Sequence, residues 1–296
     1  VEDASDADVV LFNGCTIRDT ADQKVYNHLR NLAREKKFRP SLTVGVLGCL
    51  AQAEGERIRE KYPVVDLVMG PDAYASLPEA LRRVREKDEG GAYLKRVDEF
   101  LPYAEAERGD PVRAFVEVIR GCSKYCTFCV VPYTRGLERS RPRGEIQEEV
   151  RRVASQGYQD VTLLGQNVDS YQDPATGENL AALLRVLDLE RAAPWLRFVT
   201  SHPRHFTDDL IEAIGELDSV CEYVHLPVKS GSDAVLERMN RHTTHAGYLD
   251  LVRRIRRVPG IALSTDLIVG FPGETEQDFS QTLDIVREAD FDMAFS

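Results

Sequence analysis

Cys122-Ser123-Lys124-Tyr125-Cys126-Thr127-Phe128-Cys129 places three thiols within eight residues, at a C-x3-C-x2-C spacing. Thiolates are the usual ligands of iron–sulfur clusters, and a loop this short can turn three sulfurs toward three irons of one cubane. The fourth iron then has no protein ligand, since none of the six histidines (His28, His202, His205, His225, His242, His245) is near in sequence. An iron left open in this way can bind a small molecule. A structural zinc site is the alternative, but zinc of that kind takes four protein ligands, usually as two C-x2-C pairs, and one such pair is present. A disulfide framework suits short secreted chains, whereas this chain is long and shows no signal peptide.

Outward from this loop, apolar strand-like runs alternate with amphipathic helical patterns. Downstream, strands are expected over 114–119, 160–164, 196–200, 221–226, 261–269 and 291–296, with helices between them. That makes six β/α-type units over 112–296, the last one incomplete. Barrels of this kind place their chemistry on the loops after the strands. Those loops carry Gly165-Gln166-Asn167, Ser201-His202-Pro203, Pro227-Val228-Lys229-Ser230-Gly231 and the stretch from Gly270 to Asp278. A Thr275/Asp278 capping box is expected at the start of the helix that follows.

Upstream, strands over 8–12, 42–48 and 64–68 alternate with helices over 20–37, 51–61 and 74–85. This predicts an α/β domain with a parallel, flavodoxin-like sheet covered on both faces, residues 1–90. Residues 91–111 read as a charged linker bounded by Glu89-Gly90-Gly91 and Gly109-Asp110-Pro111. Cys15 and Cys49 each fall at the C-terminal end of an expected strand, the edge where open α/β sheets gather ligands. Free cysteines are also commonly buried as small apolar residues.

The 296 residues are 43% hydrophobic and 29% charged, which is ordinary for a soluble globular chain of two domains. No run of eighteen apolar residues predicts a membrane span. Six cysteines, three of them clustered, suit metal binding in a reducing cytoplasm. The net charge of −11 argues against a nucleic-acid partner unless basic groups are local. Arg135, Arg139, Arg141 and Arg143 lie beside the cysteine loop, and Arg253, Arg254, Arg256 and Arg257 on a later helix, where a solvated face is an equally good reading. Arg135 and Arg141 flank the loop and are candidates to hold RNA phosphate, because a guanidinium donates in pairs.

The longer run from Arg120-Gly121-Cys122 to Val130-Val131-Pro132-Tyr133-Thr134-Arg135-Gly136, then Ser140-Arg141-Pro142, resembles the radical S-adenosylmethionine (SAM) methylthiotransferase family, in its MiaB-type tRNA branch. The loop itself is similar to the radical SAM signature C-x3-C-x-aromatic-C, with Phe128 as the aromatic. Asn13-Gly14-Cys15-Thr16-Ile17-Arg18-Asp19-Thr20-Ala21 resembles the family's Asn-Thr-Cys-x-hydrophobic-Arg-x-x-Ala, with Gly14 in place of the usual Thr. Gly48-Cys49-Leu50-Ala51-Gln52 resembles its Gly-Cys-hydrophobic-Ala-Gln.

The resemblance implies two [4Fe-4S] clusters and SAM as cofactors. Cys122, Cys126 and Cys129 would hold the SAM-binding cluster, and Cys15 and Cys49 the auxiliary one, whose remaining ligand is expected upstream. Phe128 would pack against adenine, Gly165 and Gln166 would meet the SAM amino group, and Ser201 and Lys229 the carboxylate or ribose. Lys229 stands where the family usually has Gln. Asp266, Ile268 and Gly270 belong to Ser264–Thr275, similar to the family's fifth-strand motif beside the adenine. The implied reaction replaces C2–H of a prenylated adenosine next to the tRNA anticodon with a methylthio group. One SAM would supply the methyl group and another, cleaved by one electron, the radical. The implied partners are tRNA, a reducing electron-donor protein and a sulfur source, for a cytoplasmic, monomeric enzyme of which this sequence is expected to be a piece truncated at both ends, without the family's C-terminal RNA-binding TRAM domain. Competing readings are a methylthiotransferase acting on threonylcarbamoyl-adenosine or on a ribosomal-protein aspartate, and, outside catalysis, an iron–sulfur or zinc binding module.

Overall fold

The computed structural model describes residues 6–86, 90–97, 100, 108–199 and 201–296. Part of the expected linker, residues 98–99 and 101–107, lies outside the described residues, as does Thr200, the expected end of a strand. The chain divides into two compact units, Val1–Tyr103 with Cys129–Gly136, and Ala104–Phe128 with Leu137–Ser296.

In the first unit, β1 (Val9–Gly14), β2 (Thr43–Leu47), β3 (Leu67–Met69) and β4 (Ala92–Tyr93) form a parallel sheet in that order. Every residue of β2 is buried, as a central strand covered on both faces requires, and its sequence after Thr43 is correspondingly without polar side chains. Helix α1 (Asp19–Glu35) buries Leu29 and Leu32 in the same cluster as Val44, Val46 and Val68. The single helix expected over 51–61 is two, α2 (Gly48–Glu54) and α3 (Arg57–Lys61), separated at Gly55. Residues Pro71–Ser76 wind as a 3-10 turn before α4 (Leu77–Arg85). Strand β4 lies in the stretch expected to be a linker. Open donors on the outer edge of β3 take it up: Val68 N–H donates to Gly91 O at 3.1 Å and Gly70 N–H to Tyr93 O at 2.8 Å. Two residues are too few for a period to reveal.

The second unit contains β5 (Arg113–Glu117), β8 (Asp160–Leu164) and β9 (Trp195–Phe198) in one parallel sheet, and β10 (Tyr223–His225), β11 (Ala262–Asp266) and β12 (Met293–Phe295) in another. The two are joined where Leu196 N–H donates to Ser219 O at 2.7 Å and Cys221 N–H to Leu196 O at 3.0 Å. The six parallel strands thus follow one another in chain order among the described residues. Between them run α6 (Arg143–Ser155), α7 (Leu180–Leu189), α8 (Asp208–Glu216), α9 (Asp233–Arg238), α10 (His245–Ile255) and α11 (Glu276–Ala289). This is the expected partial (β/α)6 barrel. Its core joins strand residues such as Val116, Val161, Leu163, Val224 and Leu263 to helix residues such as Ile146, Val150, Val153, Leu183 and Leu187, spaced three or four apart as one apolar helix face demands. The Thr275/Asp278 capping box is present at the start of α11.

The strand expected over 114–119 breaks at Val118. Beyond it, β6 (Ile119–Arg120) turns out of the barrel and pairs antiparallel with β7 (Arg139–Ser140), matching Ile119 with Ser140 and Arg120 with Arg139. This ribbon ties together the two ends of the segment that holds the cysteines, and the short helix α5 (Val131–Thr134) lies within that segment. No helix among the described residues is long and apolar enough to cross a membrane.

Candidate active site

The cysteine loop is held from two directions within the second unit. At its start, Gly121 N–H donates to Gln166 Oε1 at 2.6 Å. Gln166 reaches this position because Gly165 lets the exit of β8 run tight against β6: a Cβ there would lie 2.3 Å from Ile119 Cγ2 and 2.7 Å from Ile119 O. Further along, the loop caps the C-terminal end of α9, where helix carbonyls lack intrahelical partners. Thr127 N–H donates to Met239 O at 3.1 Å and Thr127 Oγ1 to Arg238 O at 3.0 Å. In return Asn240 Nδ2 donates to Lys124 O at 3.3 Å and Tyr125 O at 3.0 Å. Glu138 closes the far side: its N–H donates to Ser123 Oγ at 3.1 Å, its carboxylate accepts from Asn167 Nδ2 at 2.8 Å, and Lys124 lies 3.4 Å from it.

None of the six cysteines is in a disulfide. Cys126 is buried, and Arg241 Nη1 donates to its sulfur at 3.7 Å. Arg241 is itself buried and donates through Nη2 to Pro227 O at 2.7 Å. Sequence reasoning missed Arg241, which lies 115 residues beyond Cys126 in a stretch with no pattern of its own. Cys122 and Cys129 are half-buried. Among the described residues no three Cys, His, Asp or Glu side chains already stand as a closed ligand set.

Around the strand ends, Lys229 Nζ pairs with Asp266 Oδ2 at 2.7 Å, and His225 Nε2 lies 3.4 Å from Asp266 Oδ1. The His225 hydrogen bond, followed by Lys229, holds the Asp266 carboxyl well below the usual carboxylate range. Lys229 adopts φ +76, and backbone bonds lock it beside β11: Lys229 N–H donates to Asp266 O at 2.9 Å and Ile268 N–H to Lys229 O at 2.8 Å. Its Nζ stands 5.8 Å from the Phe128 ring centroid. Four of the expected SAM-site residues, Phe128, Lys229, Asp266 and Ile268, are thereby brought together. At Gly270 the carboxylate of Glu274 accepts from the amide, and from Phe271 N–H at 3.0 Å.

On the next strand ends, Asp169 Oδ2 accepts from His202 N–H at 2.8 Å. Burial pushes the Asp169 carboxyl up to about 7. Burial, then the nearby Arg241 charge, pushes the His202 imidazole down to about 2. Ser201 Oγ, Asp169 Oδ1 and Arg241 Nε are buried polar atoms with no hydrogen-bond partner in the protein. Such atoms are rare in folded interiors unless something completes them. Three thiols in one loop, a ring, a lysine–aspartate pair and these unsatisfied groups fit a sulfur-ligated cluster together with a small polar molecule.

In the first unit, Gly14, the last residue of β1, forms a parallel bridge with Gly48, the residue just past β2, so Cys15 and Cys49 are the next residues on two segments in register. The contact is close: at Gly48, φ +88, a Cβ would fall 2.4 Å from Asn13 Oδ1, and at Gly14 one would fall 2.8 Å from Leu50 Cβ. The glycine that departs from the family pattern at position 14 is therefore accommodated by a tight fit to Leu50. Cys49 lies in the first turn of α2, and Arg135 Nε donates to its sulfur at 3.1 Å.

Arg135 thus faces a thiol. The expectation of an RNA phosphate contact at Arg141 is corrected. Arg141 is buried, with Nη1 on Glu149 Oε2 at 2.7 Å and on Glu117 O at 2.8 Å. Its N–H donates to Val118 O at 2.9 Å, extending the β6–β7 ribbon and turning the side chain inward onto α6.

Two family profiles match the chain: the radical SAM superfamily over residues 116–286, and an uncharacterized protein family, UPF0004, over residues 1–70. The tRNA-2-methylthio-N(6)-dimethylallyladenosine synthase of Clostridium botulinum strain Langeland is 43% identical over 300 residues, covering 100% of this chain and 67% of its own length. The synthase of the same name from Cereibacter sphaeroides strain ATCC 17023 is 47% identical over 303 residues, covering 100% and 68%. Among solved structures, the radical SAM methyltransferase TsrM from Kitasatospora setae, with tryptophan substrate and a SAM analog bound, matches with a TM-score of 0.74 at 17% identity, over 97% of this chain and 61% of that one. The cobalamin-dependent SAM radical enzyme OxsB matches with a TM-score of 0.65 at 14% identity, over 94% and 43%. At these identities the two structures bear on the fold.

Proposed function

The chain belongs to the radical SAM superfamily and, within it, to the tRNA-2-methylthio-N(6)-dimethylallyladenosine synthase family, and on that premise we propose that it is a methylthiotransferase acting at C2 of N6-dimethylallyladenosine beside the tRNA anticodon. The observation that carries this reading is the three-thiol loop clamped between Gln166 and the end of α9, next to buried polar atoms that lack partners.

In this reading Cys122, Cys126 and Cys129 hold a [4Fe-4S] cluster. When bound, it supplies one-electron reductive cleavage of SAM to methionine and a 5′-deoxyadenosyl radical. Phe128 offers a ring face for adenine. Gly165 keeps the exit of β8 close to the loop, and Gln166 fixes where the loop begins. Ser201 Oγ, buried and unsatisfied, is a donor for the SAM carboxylate or ribose. Lys229, where the family usually has Gln, acts through its pair with Asp266, placing one fixed ion pair beside Phe128. Gly270 and Ile268 contribute backbone along the same edge. The Asp169–His202 bond ties the loops after β8 and β9 to each other and keeps Ser201 in place.

Cys15 and Cys49 are assigned to the auxiliary cluster that would carry sulfur, with Arg135 supporting Cys49. The partners of this reading are tRNA, a low-potential electron donor and a sulfur source, and its setting is the cytoplasm.

The test is anaerobic reconstitution with iron and sulfide, then dithionite and SAM. About four irons per chain, lost in Cys122→Ala, Cys126→Ala and Cys129→Ala, together with 5′-deoxyadenosine formation, are expected. About four further irons lost in Cys15→Ala or Cys49→Ala would support the auxiliary assignment. Tight zinc with no SAM cleavage would overturn the enzyme reading.

A further inference from the structure

Arg241 is a buried cation with an incomplete set of partners. It is 5% exposed, donates to one carbonyl and one sulfur, and leaves Nε unsatisfied. No described carboxylate forms an ion pair with it. A guanidinium kept from water without a counter-charge is costly, so its place beside Cys126 favours an anion there. Three thiolates on a dipositive four-iron core leave a net negative charge, and one-electron reduction makes that charge more negative still. A fixed buried cation therefore favours the reduced form over the oxidised one. Hydrogen bonds to cluster sulfurs act in the same direction, and both are recognised levers on cluster potential.

We propose that Arg241 is a positioning residue that holds the Cys126 sulfur and raises the reduction potential of the cluster on Cys122, Cys126 and Cys129. The step concerned is a single electron passing from a low-potential donor, which is oxidised, to the cluster, which is reduced. No bond forms or breaks and no proton moves. The inference rests on the proposed function only in needing that cluster. It predicts a property that cluster binding by itself does not require.

The experiment is an anaerobic redox titration with dithionite and viologen mediators, without SAM, read by electron paramagnetic resonance of the reduced cluster. The full chain is used in a Cys15→Ala/Cys49→Ala background, so that one cluster reports. Arg241→Gln removes the charge, and Arg241→Lys keeps it. At equal iron content, Arg241→Gln is expected to hold at least tenfold less reduced cluster at a fixed potential, a midpoint lower by about 59 mV. Arg241→Lys is expected to fall by less than half of that. A midpoint for Arg241→Gln within roughly 15 mV of the parent, or an equal fall in Arg241→Lys, overturns the inference while leaving the proposed function standing. Should Arg241→Gln fail to keep its iron, Arg241→Lys decides: a midpoint near the parent supports the role of the charge, and a fall of about 59 mV overturns it. A parent chain that takes up no four-iron cluster overturns both readings.

Discussion

Replacing Arg141 by Ala separates two roles that a flanking arginine can have. In the structure its guanidinium lies 2.7 Å from Glu149, and both side chains are 7% exposed. Removing the arginine strands the buried Glu149 on α6, with Arg108 at 3.4 Å as its remaining cation. Removing one partner of a buried ion pair costs about 3–5 kcal/mol. The lost bond to Glu117 O adds about 1 kcal/mol, and the contact from Arg108 offsets part of the total. A net loss of roughly 3–4 kcal/mol in a unit of this size lowers the melting temperature by about 6–15 °C. Calorimetry or a circular dichroism melt of the anaerobic apo-chain reads the shift, with tRNA binding measured on the same samples well below the transition. The double variant Arg141→Met/Glu149→Leu should recover at least half the loss, because replacing both charges with apolar groups of similar volume is often neutral or better. A melting temperature for Arg141→Ala within about 1 °C of the parent, combined with weaker tRNA binding, would refute the structural role and restore the phosphate contact.

Other outcomes follow from the same geometry. Burial raises the Asp169 carboxyl to about 7, above its unfolded value of about 3.9. The stabilising share of its proton is therefore full below about pH 4 and lost as pH rises to about 7. Urea unfolding across this range should show the stability difference between the parent and Asp169→Asn changing only inside that window; a flat difference would refute the assignment. Gly165→Ala, whose Cβ would press on Ile119, should cost about 1–3 kcal/mol by overpacking and lower iron loading at the displaced cysteine loop, both read after reconstitution. Asp266→Ala releases Lys229 and His225 together and should weaken SAM binding roughly tenfold or more, about 1.4 kcal/mol. Lys229→Gln, which restores the usual family residue, should weaken it by less, and equilibrium dialysis compares the two.

The barrel strands and the cysteine loop were legible because each is a local pattern: an apolar run of five residues, or three thiols in eight. What escaped was set by distant contacts. Arg241 meets Cys126 only through the fold, from the end of a different helix. Arg141 looked like a member of a basic run with Arg135, Arg139 and Arg143. That reading takes a guanidinium flanking the loop as turned toward RNA phosphate, but the ribbon turns Arg141 inward, where Glu149 neutralises it. Strand β4 has two residues, below the length at which any period is visible, and exists because β3 presents an open edge.

The Gly14–Gly48 bridge makes the alignment of Cys15 and Cys49 a property of sheet registration. Val9 matches Thr43, Val10 matches Val44, and the ladder continues to Asn13 opposite Leu47, so the two thiols inherit their alignment from five preceding rungs. A slip of one rung would turn every side chain of β1 to the other face and carry Cys15 with it. Fidelity of strand pairing, settled while the chain folds, is therefore checked a second time when these sulfurs are asked to act together, and a misaligned molecule would reveal itself as one that cannot gather them.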